Sequence, residues 1–261
     1  MKANRRRFLS TAALGSIAYA ARFREGTERQ QSSQGRIRAV AFDAFVIFDP
    51  RAVVNCAEEL FPGKGGEFTN LWRTRQFEYT WLRTTGQRYR DFWLVTEDAM
   101  DYAARSMQLQ ISEAQRQRLM SVYRELPVWP DTSDAIAELQ DRGLRMAFLS
   151  NFTASMLDAN LHAAKMSSFF EEHLSTDSVR AFKPSTRAYR MGTDHFGLGR
   201  HEIAFAAFAP WDVAGAKWFG YPTIWVNRMS AAEELLGAKP DAVTSGAAGL
   251  WDVIRRLSAG R

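Results

Sequence analysis

The stretch AFDAFVIFDP, residues 41–50, decides how this chain is read. Ala39, Val40, Ala41 and Phe42 form an apolar run that predicts a buried strand over Ile37 to Phe42. Asp43 stands at its end. A carboxylate there either caps the next element, the commoner use of Asp, or attacks carbon or phosphorus to form a covalent ester. Val46 and Ile47 follow, bulky where a strand-to-loop turn often carries Gly and a hydroxyl. If this turn needs φ > 0, a β-branched Val46 is badly suited to it, and the loop takes a different course.

Downstream of the turn the pattern is helical from Pro50 to about Pro127. The segments RAVVNCAEEL, FTNLWRTRQFEYTWLRTT, FWLVTEDAMDYAARSMQ and SEAQRQRLMSVYREL each carry helical apolar spacing. The rhythm then changes. SDAIAELQDRG reads as a capped helix ending at Gly143, and LRMAFLS as a strand ending at Ser150 and Asn151. Helix SMLDANLHAAKM, a short strand in EEHLSTDS, helix STRAYRMGTDHFG, strand EIAFAAF, helix DVAGAKWFG, strand PTIWVN and helix AAGLWDVIRRLSA complete the chain. Strands alternating with helices predict an α/β fold: a Rossmann-like parallel sheet core with a helical cap inserted after the first strand. The core is expected over residues 37–49 and 128–261, and the cap over 50–127. In such sheets the ligand crevice lies outside the carboxyl ends of the strands.

Upstream, NRRRFLSTAALGSIAYAA reads as an address. Arg5, Arg6 and Arg7 precede an uncharged run from Phe8 to Ala21 with the small-residue pattern Ala18-Tyr19-Ala20. Residues 1–21 resemble a twin-arginine export signal, which implies a periplasmic or exported protein handled by the twin-arginine machinery. The run is too short and too rich in Ala, Gly and Ser to favour a membrane span. Residues 22–36, RFREGTERQQSSQGR, read as a polar linker. The net charge is +5, but Lys2, Arg5, Arg6 and Arg7 supply four of those charges, so the remainder is nearly neutral. No basic stripe argues for nucleic acid. At 261 residues and 46% hydrophobic, the chain can bury a sizeable core. Cys56 is the single cysteine, so it makes no internal disulfide, and its helical setting predicts an inert core thiol.

Four polar features fall in order at strand ends. Asp43 is the candidate nucleophile. Ser150 and Asn151 can hold an anion with backbone N–H groups at the next helix start, or simply cap that helix. Lys183, in AFKPSTRAYR, can keep Asp43 ionised and aimed; a solvated lysine is the commoner case. Asp212, in APWDVAGAKWFG, can position a water or serve as the N-cap of its helix.

This order is similar to that of the haloacid dehalogenase superfamily: nucleophilic Asp, Ser or Thr, Lys, then an acid. FPGKGGEFTNLWRTRQFEYTWLR and RYRDFWLVTEDAMDYA resemble the cap of the L-2-haloacid dehalogenases, and LSNF, FKPSTRAYR and WDVAGAKWFGYPTIWVNR resemble their core. The resemblance runs from about Ile37 to the last helix. It implies hydrolytic dehalogenation of short 2-haloalkanoic acids to 2-hydroxy acids through an aspartyl ester, with Asp43, Lys183 and Asp212 as the catalytic set. Arg73, in LWRTRQFEY, matches the family arginine that reaches from the cap to the halide, with Asn151 nearby; by composition alone it reads as a surface helix arginine. Ser150 would bind the substrate carboxylate, Tyr189 would orient and neutralise with Lys183, and Phe45 and Trp211 would line the site. No metal or cofactor is implied. A homodimer through the cap helices is what the family suggests.

The phosphatases of the superfamily carry a second Asp two positions after the nucleophile; here that position is Phe45, which argues against phosphate chemistry. The family usually reads Asp-x-Tyr-Gly-Thr at its first motif, and this chain has Asp43-Ala44-Phe45-Val46-Ile47. A family Ser and Asn before the Trp-Asp pair are replaced by Ala207 and Ala209. Each lost hydrogen-bonding group costs about 10²- to 10³-fold if it acts in the transition state. Three readings follow: an active dehalogenase with a drier site suited to a bulkier or more apolar haloacid, a catalytically impaired or non-catalytic anion-binding relative, and the disfavoured phosphatase.

Overall fold

In a computed structural model of the protein, residues 36–259 are described. The expected export signal, and the expected linker apart from Arg36, lie outside them. Among the described residues, six parallel strands form one sheet: β1 (Ala39–Phe42), β2 (Arg145–Ser150), β3 (Leu174–Ser175), β4 (Ile203–Ala207), β5 (Thr223–Val226) and β6 (Ala242–Thr244). Their spatial order is β3-β2-β1-β4-β5-β6. The chain passes from β1 to β2 on one side and later to β4 on the other, so the order reverses between β1 and β4. That switch point is where a doubly wound sheet opens a crevice at its carboxyl edge.

The helices are α1 (Ala44–Ile47), α2 (Arg51–Leu60), α3 (Gly65–Thr85), α4 (Phe92–Ser106), α5 (Glu113–Val122), α6 (Thr132–Asp141), α7 (Ala154–Ala164), α8 (Thr186–Phe196), α9 (Pro210–Phe219) and α10 (Leu250–Ala259). Both faces of the sheet are covered. Val40, Phe42, Met146, Phe148, Ala204 and Ala206 enter one apolar core, and Ala39, Ala41, Ala147, Leu149, Ile203, Phe205 and Ala207 enter the other. Strands buried on both sides need continuous apolar sequence, and the AVAF and IAFAA runs supply it. Helices α2 to α5 lie between β1 and β2 in sequence. Ser112 and Gln115 close a capping box at the start of α5, and Trp72 on α3 donates Nε1–H to the Thr96 carbonyl on α4 at 2.8 Å.

Two elements differ from the sequence expectation. β6 is a three-residue edge strand, AVT, too short and too exposed to show a period. The turn after β1 is the one-turn helix α1, not a loop. Asp43 is its N-cap at φ −65° and ψ 142°, and no residue from 44 to 48 has positive φ. Val46 and Ile47 are therefore unstrained. Both are fully buried in the core, which accounts for their bulk.

Candidate active site

Asp43 ends β1, where its N–H donates to the Ala206 carbonyl of β4 at 3.0 Å. One carboxylate oxygen, Oδ1, accepts from the Phe45 N–H at 3.0 Å. The other, Oδ2, accepts from Lys183 Nζ at 2.7 Å. The same ammonium donates to Asp212 Oδ2 at 2.6 Å. Asp212 Oδ1 accepts from the Tyr189 hydroxyl at 2.5 Å. Asp43 thus serves both as helix cap and as a member of a buried charged row, and the two sequence readings of it coexist.

Lys183 is fully buried between two carboxylates. Burial alone would lower its pKa, but Asp212 and Asp43 outweigh that and raise it, so the ammonium is charged at neutral pH. Burial pushes Asp212 up to about 6, against the pull of Lys183 and of the Tyr189 hydroxyl. Asp212 is therefore ionised at pH 7 but ready to take a proton. Tyr189 is raised well above 10 by burial and by Asp212, so it remains a neutral donor. One hydrogen bond to each oxygen of Asp43 and Asp212 leaves a lone pair on each oxygen for water or substrate.

The remaining expected site residues are placed unequally. Asn151 Oδ1 accepts from the Lys183 N–H at 3.0 Å, which fixes the amide. Its Nδ2 is buried with no partner among the described residues, an unused donor beside the charged row that suits an anion. Ser150 is buried, and its Oγ accepts from the Phe152 N–H at 3.1 Å; its hydroxyl proton remains available. Tyr189, expected to orient and neutralise alongside Lys183, has its hydroxyl committed to Asp212. Asp212, expected as a helix N-cap in the plain reading, is the third residue of α9, because the helix starts earlier at Pro210 with Ala209 as cap. A carboxylate in that first turn is favoured by the helix dipole.

Arg73 is not brought to the carboxylates. It is exposed on α3, and its Nη2 donates to Asn70 Oδ1 at 3.3 Å. Trp211 lies at the start of α9 and packs edge-on against Phe77 (5.2 Å between centroids) and Trp81 (5.7 Å) of α3. Phe45 packs edge-on against Phe152 at 5.2 Å and tilted against Phe208 at 5.8 Å. Phe152 in turn stacks on Phe92 at 5.5 Å. This aromatic wall joins α1, α4 and the loops after β2 and β4. Phe152 and Phe208 carry no local signal of this role, since nothing periodic marks a loop aromatic. Among the described residues, no group of three or more His, Cys, Asp or Glu side chains is placed to hold a metal ion.

Comparison with known proteins gives a consistent picture. A family model described as haloacid dehalogenase-like hydrolase matches residues 3–220. The chain is 39% identical over 207 residues to haloacetate dehalogenase H-2 of Moraxella sp. (strain B), covering 79% of this chain and 92% of that protein. It is 38% identical over 206 residues to an (S)-2-haloacid dehalogenase of Pseudomonas sp. (strain YL), covering 78% and 89%. Among solved structures, the L-2-haloacid dehalogenase RSc1362 superposes with a TM-score of 0.81 at 36% identity, over 85% of this chain and 99% of that one. The L-2-haloacid dehalogenase of Xanthobacter autotrophicus with chloropropionic acid covalently bound superposes with a TM-score of 0.78 at 31% identity, over 84% and 98%.

Proposed function

The chain belongs to the haloacid dehalogenase-like hydrolase family, and from that premise we propose that it hydrolyses short 2-haloalkanoic acids to 2-hydroxy acids through an ester on Asp43. The observation that carries this reading is the Lys183 ammonium shared between Asp43 at 2.7 Å and Asp212 at 2.6 Å. It holds one carboxylate ionised as nucleophile and a second beside it as proton acceptor.

In the first step a carboxylate oxygen of Asp43 attacks C2 from the side opposite the halogen. The new C–O bond forms as the C–halogen bond breaks, the halide leaves with the bonding pair, and the configuration at C2 inverts. A halide needs no proton but does need a positive, polar cradle. The unpartnered Nδ2 of Asn151 is one donor for it. The family resemblance supports Arg73 as a second, in a rotamer that gives up its bond to Asn70. Ser150 and the amides after β2 receive the substrate carboxylate. In the second step water attacks Cγ of Asp43 and passes a proton to Asp212. Whichever oxygen of Asp43 forms the ester, the other carries the oxyanion, met by the Phe45 N–H if it is Oδ1 or by the Lys183 ammonium if it is Oδ2. Cleavage of the bond between Cγ and the substrate oxygen releases the 2-hydroxy acid, which takes the proton from Asp212. The second proton of the water leaves as Asp43 ionises again.

Nothing in the geometry favours the non-catalytic alternative, since the charged row is complete without the polar groups missing at Phe45, Ile47, Ala207 and Ala209. The test is intact-protein mass after incubation with L-2-chloropropionate, with chloride counted in parallel. Many chlorides per chain, abolished in Asp43→Asn, is the expected result. No chloride and no adduct across a panel of 2-haloacids would overturn the reading.

On sequence grounds we propose two further properties. The Arg5-Arg6 segment supports export through the twin-arginine machinery to the periplasm; an Arg5→Lys/Arg6→Lys variant retained in the cytoplasm is the expected outcome, and unchanged export would refute it. The family resemblance of the cap supports a homodimer, checked by sedimentation equilibrium.

A further inference from the structure

We propose that Arg228 and Trp129 are positioning residues that hold the nucleophile turn, residues 43–47, in its working geometry; this rests on Asp43 being the nucleophile. A helix of one turn cannot satisfy its own last carbonyls. In α1 only the Ala44 carbonyl finds a nearby partner, the Phe48 N–H at 2.9 Å. The next three are met from elsewhere in the chain. The Phe45 carbonyl accepts from Trp129 Nε1 at 3.0 Å. The Val46 carbonyl accepts from Arg228 Nη2 at 3.3 Å. The Ile47 carbonyl accepts from the Trp129 backbone N–H at 3.1 Å.

These donors are themselves fixed. The Arg228 side chain is only 6% exposed, and its Nη1 lies 2.8 Å from Asp131 Oδ1. Its guanidinium stands 4.7 Å from the centroid of the Trp129 ring, and that of Arg51 stands 4.6 Å from the same ring. Asp131 Oδ2 accepts from the Ala247 N–H at 2.7 Å and the Ala248 N–H at 3.3 Å. Gly246 leaves room for this arrangement, since a Cβ there would come within 2.3 Å of Asp131 Oδ2 and 3.3 Å of Arg228 Nη1. A guanidinium offers several donors in one rigid plane, so a single buried Arg228 can meet both Asp131 and the Val46 carbonyl.

None of these donors bonds to Asp43, Lys183 or Asp212. Their effect reaches the site through Phe45, whose N–H fixes Asp43 Oδ1 and whose carbonyl Trp129 holds. The turn carries neither a glycine nor a hydroxyl of its own, so its course is set by these outside donors and by the burial of Val46 and Ile47. A displacement of about 1 Å at an attacking atom costs about 10²-fold in rate.

The experiment compares wild type with Arg228→Gln, Arg228→Lys and Trp129→Phe. Two quantities are read: amide hydrogen exchange at residues 45–48, and steady-state halide release from L-2-chloropropionate. The expected result is exchange at those amides at least about tenfold faster in Arg228→Gln and Trp129→Phe, with β4 and α4 unchanged. The turnover number should fall by about 10²-fold while KM moves less than about twofold. Arg228→Lys, which keeps a charge and a donor, should recover part of both changes. Trp129→Phe keeps an aromatic ring and the backbone N–H to the Ile47 carbonyl while removing the Nε1 donor with part of the indole, so it remains informative if Arg228→Gln folds poorly. Unchanged exchange at residues 45–48 would overturn the proposal, as would loss spread evenly over the whole chain. Local exchange that responds in a wild type and variants that release no halide would support the turn assignment and count against the dehalogenase reading instead.

Discussion

Lys183 Nζ lies 2.7 Å from Asp43 Oδ2, although the two residues are 140 positions apart in the chain. A buried ammonium in that position is stable only while its carboxylate partners are charged. Removing it leaves two carboxylates, Asp43 and Asp212, without their shared countercharge. Lys183→Met is expected to cost about 3–5 kcal/mol at pH 7. Because the folded pKa of Lys183 is raised above 10.5, its stabilising contribution is complete below 10.5 and is lost as pH rises through the folded value. Urea melts of wild type and Lys183→Met should therefore converge above pH 10.5; a gap that stays constant would contradict this account.

Asp212 titrates at about 6, and it accepts the water proton only when ionised. Halide turnover should fall as pH drops through 6. The Tyr189 hydroxyl lowers the Asp212 value by donating to it, so Tyr189→Phe should move the acid limb to higher pH. The pH dependence of turnover in the two proteins checks the sign; a limb that moves to lower pH would assign the proton to another group.

Val46 sits in a right-handed turn with no positive φ. Restoring a glycine should not relieve strain. Val46→Gly removes a fully buried side chain and adds backbone freedom, with an expected cost of about 2–4 kcal/mol. Thermal denaturation reads this directly, and a stabilised variant would show that the turn is strained.

Ala209 is the N-cap of α9 at φ −85° and ψ 141°, with no side-chain hydrogen bond. An asparagine fits that backbone and gives the helix a cap worth about 1 kcal/mol. It also returns an amide close to Asp212. Ala209→Asn should raise the melting temperature and speed hydrolysis of the Asp43 ester by up to about 10²-fold. Decay of the ester followed by mass after rapid quench is the measurement; a slower decay would mean that the drier site is matched to its own substrate.

How much of this was legible beforehand follows the range of the interactions. β1, β2, β4 and β5 are marked by continuous apolar runs, and the helices between β1 and β2 by apolar spacing and caps, so their kinds could be read locally. The order of Asp43, Lys183 and Asp212 was likewise readable, because a parallel sheet brings the segments that follow its strands to one edge; only Asp43 directly ends a strand, while Lys183 lies beyond the 3₁₀ turn Thr176–Val179 that follows β3 and Asp212 lies within α9. Three residues of β6 are too few to carry a period, and α1 has four apolar residues that look alike as strand, loop or helix. Sequence spacing could not show that Tyr189 serves Asp212, that Asn151 keeps an unpartnered donor, or that Arg73 rests on Asn70. Nor could it join Trp129 and Arg228 to the carbonyls of residues 45–47, since those bonds span 84 and 182 positions. The sequence by itself determined the alternating core, the helical insertion and the identity of the charged residues, because local pattern encodes burial and period. Only the tertiary structure decided which donors meet which acceptors, because that depends on where distant segments come to lie once the sheet is assembled.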